Sequence, residues 1–195
     1  MIESKLIPKA LFSDKSVKSV NNLKDNAGIE YIASMNQTHS NVVTFVKSSK
    51  VYDSDGIYTD KPKLGLVVRT ADCMPILLSD KKRIGAIHSG WRGLKNNIVK
   101  KAIKKFDVNQ LLISIGPHAQ SCCYEVKNDV RQYFNDYTEL RDRMFYLNMS
   151  QVLKDLSEEE GFQIEVSSIC TICDSSYNSY RENKTIERQF GVIWR

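Results

Sequence analysis

A chain of 195 residues with 42% hydrophobic content has the material for one packed core and does not call for a second domain. Its net charge of +5 is small for a nucleic-acid binder, and much of the excess lies in one segment, Lys95 to Lys105, which reads as a solvated basic face. The N-terminus, MIESKLIPKALF, lacks the pattern of a secretory signal, and no stretch approaches the roughly 20 apolar residues that span a bilayer, so a soluble, cytoplasmic protein without a membrane partner is expected.

Residues 1 to 28 form a short, weakly patterned N-terminal segment, within which Ser19 to Asn26 predicts a short helix ending at Gly28. From Ile29, IEYIASMNQTHSNVVTFV reads as two strands broken near Asn36 to Asn41, and His39 lies in the break. Asp53-Ser54-Asp55-Gly56 is turn chemistry, and Lys61-Pro62-Lys63 is a second stop before a strand at Leu64 to Val68. Strands follow at Ile76 to Leu78 and Ile84 to Ile87. Leu94, Ile98, Ala102 and Phe106 recur every four positions, the buried stripe of one amphipathic helix with lysines on its other side.

Leu111 to Ile115 predicts another strand, closed by Gly116-Pro117. Val126, Val130, Phe134 and Tyr137 suggest a helix over Tyr124 to Tyr137, and Ser150 to Glu160 a further helix with Ser150 as a possible N-cap and Gly161 as its stop. Ile164 to Ile169 alternates as a strand into Cys170, residues 174 to 189 are loop-like, and Phe190 to Trp194 ends the chain as a strand. Strands interleaved with three or four helices imply an α+β fold, a mixed α/β sandwich with mixed sheets and flanking helices, as a single domain over residues 1 to 195.

The chemistry concentrates in VVRTADCMPILLSDKKRIGAIHSGWRGL, residues 67 to 94. Cys73 and His88 each stand at the edge of an apolar run, where α/β sheets present ligand-binding groups. With His39 they have the residue types of a transition-metal site, and three protein ligands leave a fourth tetrahedral position for water or substrate. The plainer reading makes each His an ordinary polar residue and Cys73 an inert thiol, and spacings of 34 and 15 residues match no compact motif. Spacing alone leaves the choice open. The five cysteines, at 73, 122, 123, 170 and 173, are better read as thiols and possible ligands than as a disulfide framework.

Five blocks, QTHS at 37 to 40, TADCMPILL at 70 to 78, HSGWRGL at 88 to 94, IGPHAQSCCYEV at 115 to 126 and CTICDSSYNSYR at 170 to 181, resemble the YfiH-type family in order and wording. Its members are described as laccase-domain proteins, polyphenol oxidases, peptidoglycan editing factors or purine nucleoside phosphorylases. The resemblance runs from about Gln37 to Arg195 and implies one α/β sandwich with a zinc site at His39, Cys73 and His88. It also implies phosphorolysis of adenosine, inosine and methylthioadenosine and hydrolytic deamination of adenosine, with nucleoside and phosphate as partners. The chain departs from many members in lacking a Gly-Gly-Val-Ser type segment before the first His block. His118 also stands where many have a small residue or Cys.

These labels differ in what they require. A laccase needs a mononuclear copper and a trinuclear cluster held largely by imidazoles, and three histidines cannot supply them. A lone copper with Met74 as axial ligand would require neighbouring strand residues to point the same way. Deamination by a zinc-bound hydroxide needs a carboxylate to move protons, for which Asp72 is the nominee, against a plain turn-forming role. Phosphorolysis needs cations, with Arg92 first, then Arg69, Arg181 and Arg188, each of which could instead be a surface residue. Trp91 could stack on a purine or anchor packing, Cys123 or Cys173 could line the pocket, and His118 could donate a proton.

Two other readings remain. One is a cysteine-type hydrolase on peptidoglycan precursors, with Cys73 as nucleophile and His88 as base. The other is a non-enzymatic binding partner using the polar loop Asp174 to Gln189. Cys122, Cys123, Cys170 and Cys173 could form a second, structural metal site, although adjacent cysteines are expected to diverge.

Overall fold

The computed structural model describes residues 1–195, with side chains described for 1–24 and 28–195. Two six-stranded sheets, one three-stranded sheet and flanking helices form a single mixed α/β domain. In the first large sheet the strands run in the order Ile2–Glu3, Ala10–Phe12, Gln189–Ile193, Leu64–Thr70, Tyr31–Asn36 and Val51–Asp53. The N-terminal segment is therefore built into this sheet through two of its strands. In the second the order is Gln163–Val166, Leu112–Ile115, Met74–Ser79, Ile84–Ser89, Gly56–Thr59 and Val43–Phe45.

The sheets face each other across Phe12, Leu66, Val68, Leu77, Ile84, Ala86 and Ile193. The second sheet's other face, with Ile76, Leu78 and Ile87, is covered by helices contributing Ile98, Ala102, Leu153 and Leu156. Burial on both faces explains why these strands are continuous apolar runs without clear alternation. A fully buried Leu or Ile contributes about 1.5–3 kcal/mol, so the strands that end at the site rest on a rigid base. Among the described residues no helix is long and apolar enough to cross a membrane.

Two expected helices take a different form. The Leu94 to Phe106 stripe is divided between helices Trp91–Lys95 and Ile98–Ile103. Asn97 sits between them in the left-handed region at φ 59°, a conformation Asn tolerates well, and its amide caps the carbonyl of Leu94. Over Tyr124 to Tyr137 only Asn128–Arg131 is α-helical. Glu125 and Val126 are extended because they pair with Tyr146 and Phe145 in the three-stranded sheet. Val126, Val130 and Phe134 are nonetheless buried, so their spacing marked the inward side chains correctly while tertiary pairing chose the backbone. At the helix Met149–Glu160, Asn148 rather than Ser150 is the N-cap, accepting from the Gln151 amide at 3.1 Å, and Gly161 ends it at φ 83°.

Candidate metal centre

Cys73 immediately precedes the strand Met74–Ser79, and His88 is the penultimate residue of its antiparallel partner Ile84–Ser89. Pairing of Pro75 with His88 sets the two reactive side chains side by side at one end of the sheet. His39 reaches them from the turn between strands Tyr31–Asn36 and Val43–Phe45. One nitrogen from each His and the Cys73 sulfur lie within 4.8 Å of one another, with His39 Nε2 at 3.8 Å from Cys73 Sγ. A tetrahedral ion bonded at about 2.0–2.3 Å to such donors separates them by roughly 3.3–3.8 Å, so small movements would complete the set. Gly90 makes room for it, because a Cβ there would lie 2.6 Å from Cys73 Sγ.

Asp55 organises both imidazoles. Its fully buried carboxylate accepts the backbone amides of Thr38, His39 and Ser40 at 3.2, 3.0 and 2.7 Å and the Ser40 hydroxyl at 2.6 Å. These bonds hold His39 in the left-handed region, φ 62°, which a residue with a side chain occupies only when its surroundings compensate. The same carboxylate is 2.7 Å from His88 Nδ1, which directs the opposite ring nitrogen toward Cys73. A carboxylate behind a metal-binding His fixes the tautomer and ring orientation.

The electrostatics follow from this enclosure. Burial opposes charge on His88, but the Asp55 hydrogen bond and the Cys73 thiolate outweigh it and raise the imidazole to about 9. Burial likewise opposes a thiolate at Cys73, yet hydrogen bonds with His39 and His88 and their positive charge bring it down to about 6. Burial also resists ionisation of Asp55, but its bonds to His88 and Ser40 prevail and hold it well below the ordinary carboxylate range.

The trio opens into a cavity of about 690 Å³, a size suited to a small molecule. Its wall carries Arg69, Arg92, Lys184, Arg181 and Arg188 against one carboxylate, Asp72. The Arg92 guanidinium lies over the Trp91 ring at 4.5 Å, and that of Arg181 over Tyr124 at 5.1 Å. Arg69 donates to the Met35 carbonyl at 3.1 Å. Asp72, at φ 85°, accepts the Thr171 hydroxyl at 2.9 Å and the Arg181 amide at 2.6 Å. Both oxygens are thus engaged in holding the C-terminal loop. Cys123 and Cys173 are not among the cavity-lining residues.

His118 is also outside the cavity lining and buried. Its Nδ1 donates to the Gly116 carbonyl at 2.8 Å, while Nε2 is 3.2 Å from the Gln120 amide nitrogen. Burial lowers it to about 4, only partly offset by the bond to Gly116. Because the unfolded chain binds this proton near 6.5 and the folded chain only near 4, stability falls as pH drops through that window, by about 3 kcal/mol in total. Denaturant titrations between pH 7 and 4 should show this loss, diminished in His118→Asn; equal slopes would dismiss His118 as its source.

Sequence reasoning passed over Asp55 and Tyr124. Asp55 belongs to a turn-forming run, where a carboxylate ordinarily serves its own loop, and its burial depends on strands distant in sequence. Tyr124 only opens the segment whose helical spacing runs through Val126, Val130, Phe134 and Tyr137, so that pattern gives it no role.

The profile of the family described as multi-copper polyphenol oxidoreductase laccase matches residues 14–195. A purine nucleoside phosphorylase of Aquifex aeolicus is 33% identical over 167 residues, covering 84% of this chain and 81% of the relative. Another, of Clostridium acetobutylicum, is 32% identical over 193 residues, covering 90% and 81%. Among solved structures, the hypothetical protein YfiH of Bacillus licheniformis superposes with a TM-score of 0.83 at 23% identity, over 95% of this chain and 92% of that one. A Neisseria meningitidis DUF152 protein does so at 0.79 and 25%, over 89% and 78%.

Proposed function

The chain belongs to the family described as multi-copper polyphenol oxidoreductase laccase, and from that membership we propose that it is a zinc-dependent purine nucleoside phosphorylase. The observation that carries this reading is a His2Cys donor set opening into a cavity with five cationic side chains. A multi-copper centre does not fit: the chain has three histidines, and one of them, His118, lies outside the cavity lining. The relatives named purine nucleoside phosphorylase support a nucleoside and phosphate as partners.

The substrates are adenosine, inosine and methylthioadenosine. Arg92 and Arg181 take the phosphate, since a guanidinium offers paired donors to its oxygens, and Arg69, Lys184 and Arg188 add positive potential. Trp91 and Tyr124 supply ring faces for the purine. Phosphate oxygen attacks C1′ of the ribose as the bond to the purine nitrogen breaks. His39, Cys73 and His88 would hold the zinc, which when bound would supply Lewis-acid polarisation of an oxygen and an activated water for adenosine deamination. Asp72 acts as a positioning residue through Thr171 and the Arg181 amide.

Zinc-loaded protein should release adenine from adenosine and hypoxanthine from inosine only with phosphate, forming ribose 1-phosphate. Ammonia from adenosine should appear without phosphate. A zinc-loaded sample producing neither base nor ammonia would overturn this reading.

The succession Asp55, His88, Cys73 favours one further reading, a cysteine hydrolase acting on peptidoglycan precursors, because it aligns a buried carboxylate, an imidazole and a lowered-pKa thiol. That reading requires metal-free protein to form a covalent adduct at Cys73 and cleave a muropeptide precursor. Zinc-dependent nucleoside turnover with an inert Cys73 in metal-free protein would eliminate it.

A further inference from the structure

We infer that Cys122, Cys123, Cys170 and Cys173 form a second metal site, a tetrathiolate centre for zinc whose role is to hold one wall of the substrate cavity. Each contributes a sulfur, and the four sulfurs lie within 4.8 Å of one another. Cys122 Sγ and Cys173 Sγ are 3.5 Å apart. Sulfurs bonded at about 2.3 Å to a tetrahedral ion are separated by roughly 3.8 Å, whereas a disulfide would bring two of them to about 2.05 Å.

Adjacent cysteines were expected to diverge, but the turn at 121–123 brings Cys122 and Cys123 into one cluster. The Tyr124 amide donates to the Gln120 carbonyl at 2.9 Å and the Cys123 amide to the same oxygen at 3.1 Å, which closes that turn. Cys170 and Cys173 come from the facing turn, where the Asp174 amide donates to the Cys170 carbonyl at 3.0 Å. A parallel bridge between His118 and Cys170 ties the two segments together. The Gln120 amide approaches Cys170 Sγ at 3.4 Å, the kind of backbone donor that favours a ligating sulfur.

Four sulfur donors complete a tetrahedron and leave no position for substrate, which identifies this as a structural site distinct from the three-ligand centre. Zinc binding displaces the thiol protons to solvent and contributes its binding free energy to the local fold. The stabilised residues adjoin the cavity. Tyr124 follows Cys123 and packs with Arg181, while Thr171 follows Cys170 and donates to Asp72. The inference does not depend on the nucleoside reading.

The test is zinc analysis of full-length protein purified anaerobically without added metal, alongside His39→Ala, Cys122→Ser and Cys173→Ser. About two zinc ions per chain are expected in the unaltered protein, and about one in His39→Ala. The Cys122→Ser and Cys173→Ser variants should keep the His39 site and release the second zinc at lower chelator concentrations. Cobalt-loaded His39→Ala should show the intense sulfur-to-cobalt absorption of four thiolates, a readout available even if a serine variant fails to fold. A single zinc lost entirely in His39→Ala would overturn the inference, as would a Cys122–Cys173 disulfide in the anaerobic protein. A single zinc per chain in the unaltered protein that persists in His39→Ala but is released by the cysteine variants would uphold it and count against the three-ligand centre instead.

Discussion

Replacing Asp55 with Ala should weaken metal binding by about 10–100-fold, because the residue orients both imidazoles without being a ligand. The same substitution should destabilise the metal-free protein by about 3–5 kcal/mol, the cost of removing one member of a buried charged pair. Its pH dependence distinguishes this role from general packing. His88 rises from 6.5 to about 9 in the folded chain, so its contribution is complete below 6.5 and is lost as pH climbs toward 9. Asp55 is shifted the other way, so its contribution is present above about 4 and is lost on acidification below that value. Cys73, lowered from 9 to about 6, gains stability over the same range as His88 loses it and opposes that loss. It is therefore chelator-treated Cys73→Ser protein whose melting should weaken as pH rises above 6.5, and much less so when Asp55→Ala is added to it. Parallel melting curves and unchanged zinc affinity would remove Asp55 from the support of the site.

Loss of the guanidinium at Arg92 or Arg181 should raise the KM for phosphate by about 10–150-fold, corresponding to about 1.5–3 kcal/mol for a hydrogen bond to a charged group. Lys should rescue each only in part, since an ammonium supplies charge but not the planar pair of donors. The KM for nucleoside should change less, and added salt should weaken phosphate binding in the unaltered protein more than in the variants. Initial rates over a phosphate series at two salt concentrations provide the measurement. An unchanged phosphate KM in both variants would place the anion elsewhere in the cavity.

Local sequence determined the strands that carry Cys73 and His88 and the neighbourhood of the site. Continuous apolar runs such as Leu64–Thr70 and Met74–Ser79 can hide both faces only inside a layered structure. Their ends place Cys73 and His88 at one sheet edge, and the break after Asn36 puts His39 in a turn. Residue type named those three as possible ligands, and the family blocks joined them into one centre. The geometry that supports them was decided by tertiary structure. Asp55 lies in a turn-forming run, and its burial depends on contacts with residues 15 to 33 positions away. Tyr124 opens a segment with helical spacing, yet pairing of Glu125 and Val126 with a distant strand makes the backbone extended and leaves the ring facing Arg181. The cysteine cluster joins two turns separated by 51 residues between Cys122 and Cys173. Short-range patterning specifies which side chains turn inward, because burial follows local periodicity. Long-range pairing selects the polar groups that meet, because the folded chain must provide partners for the polar groups it buries.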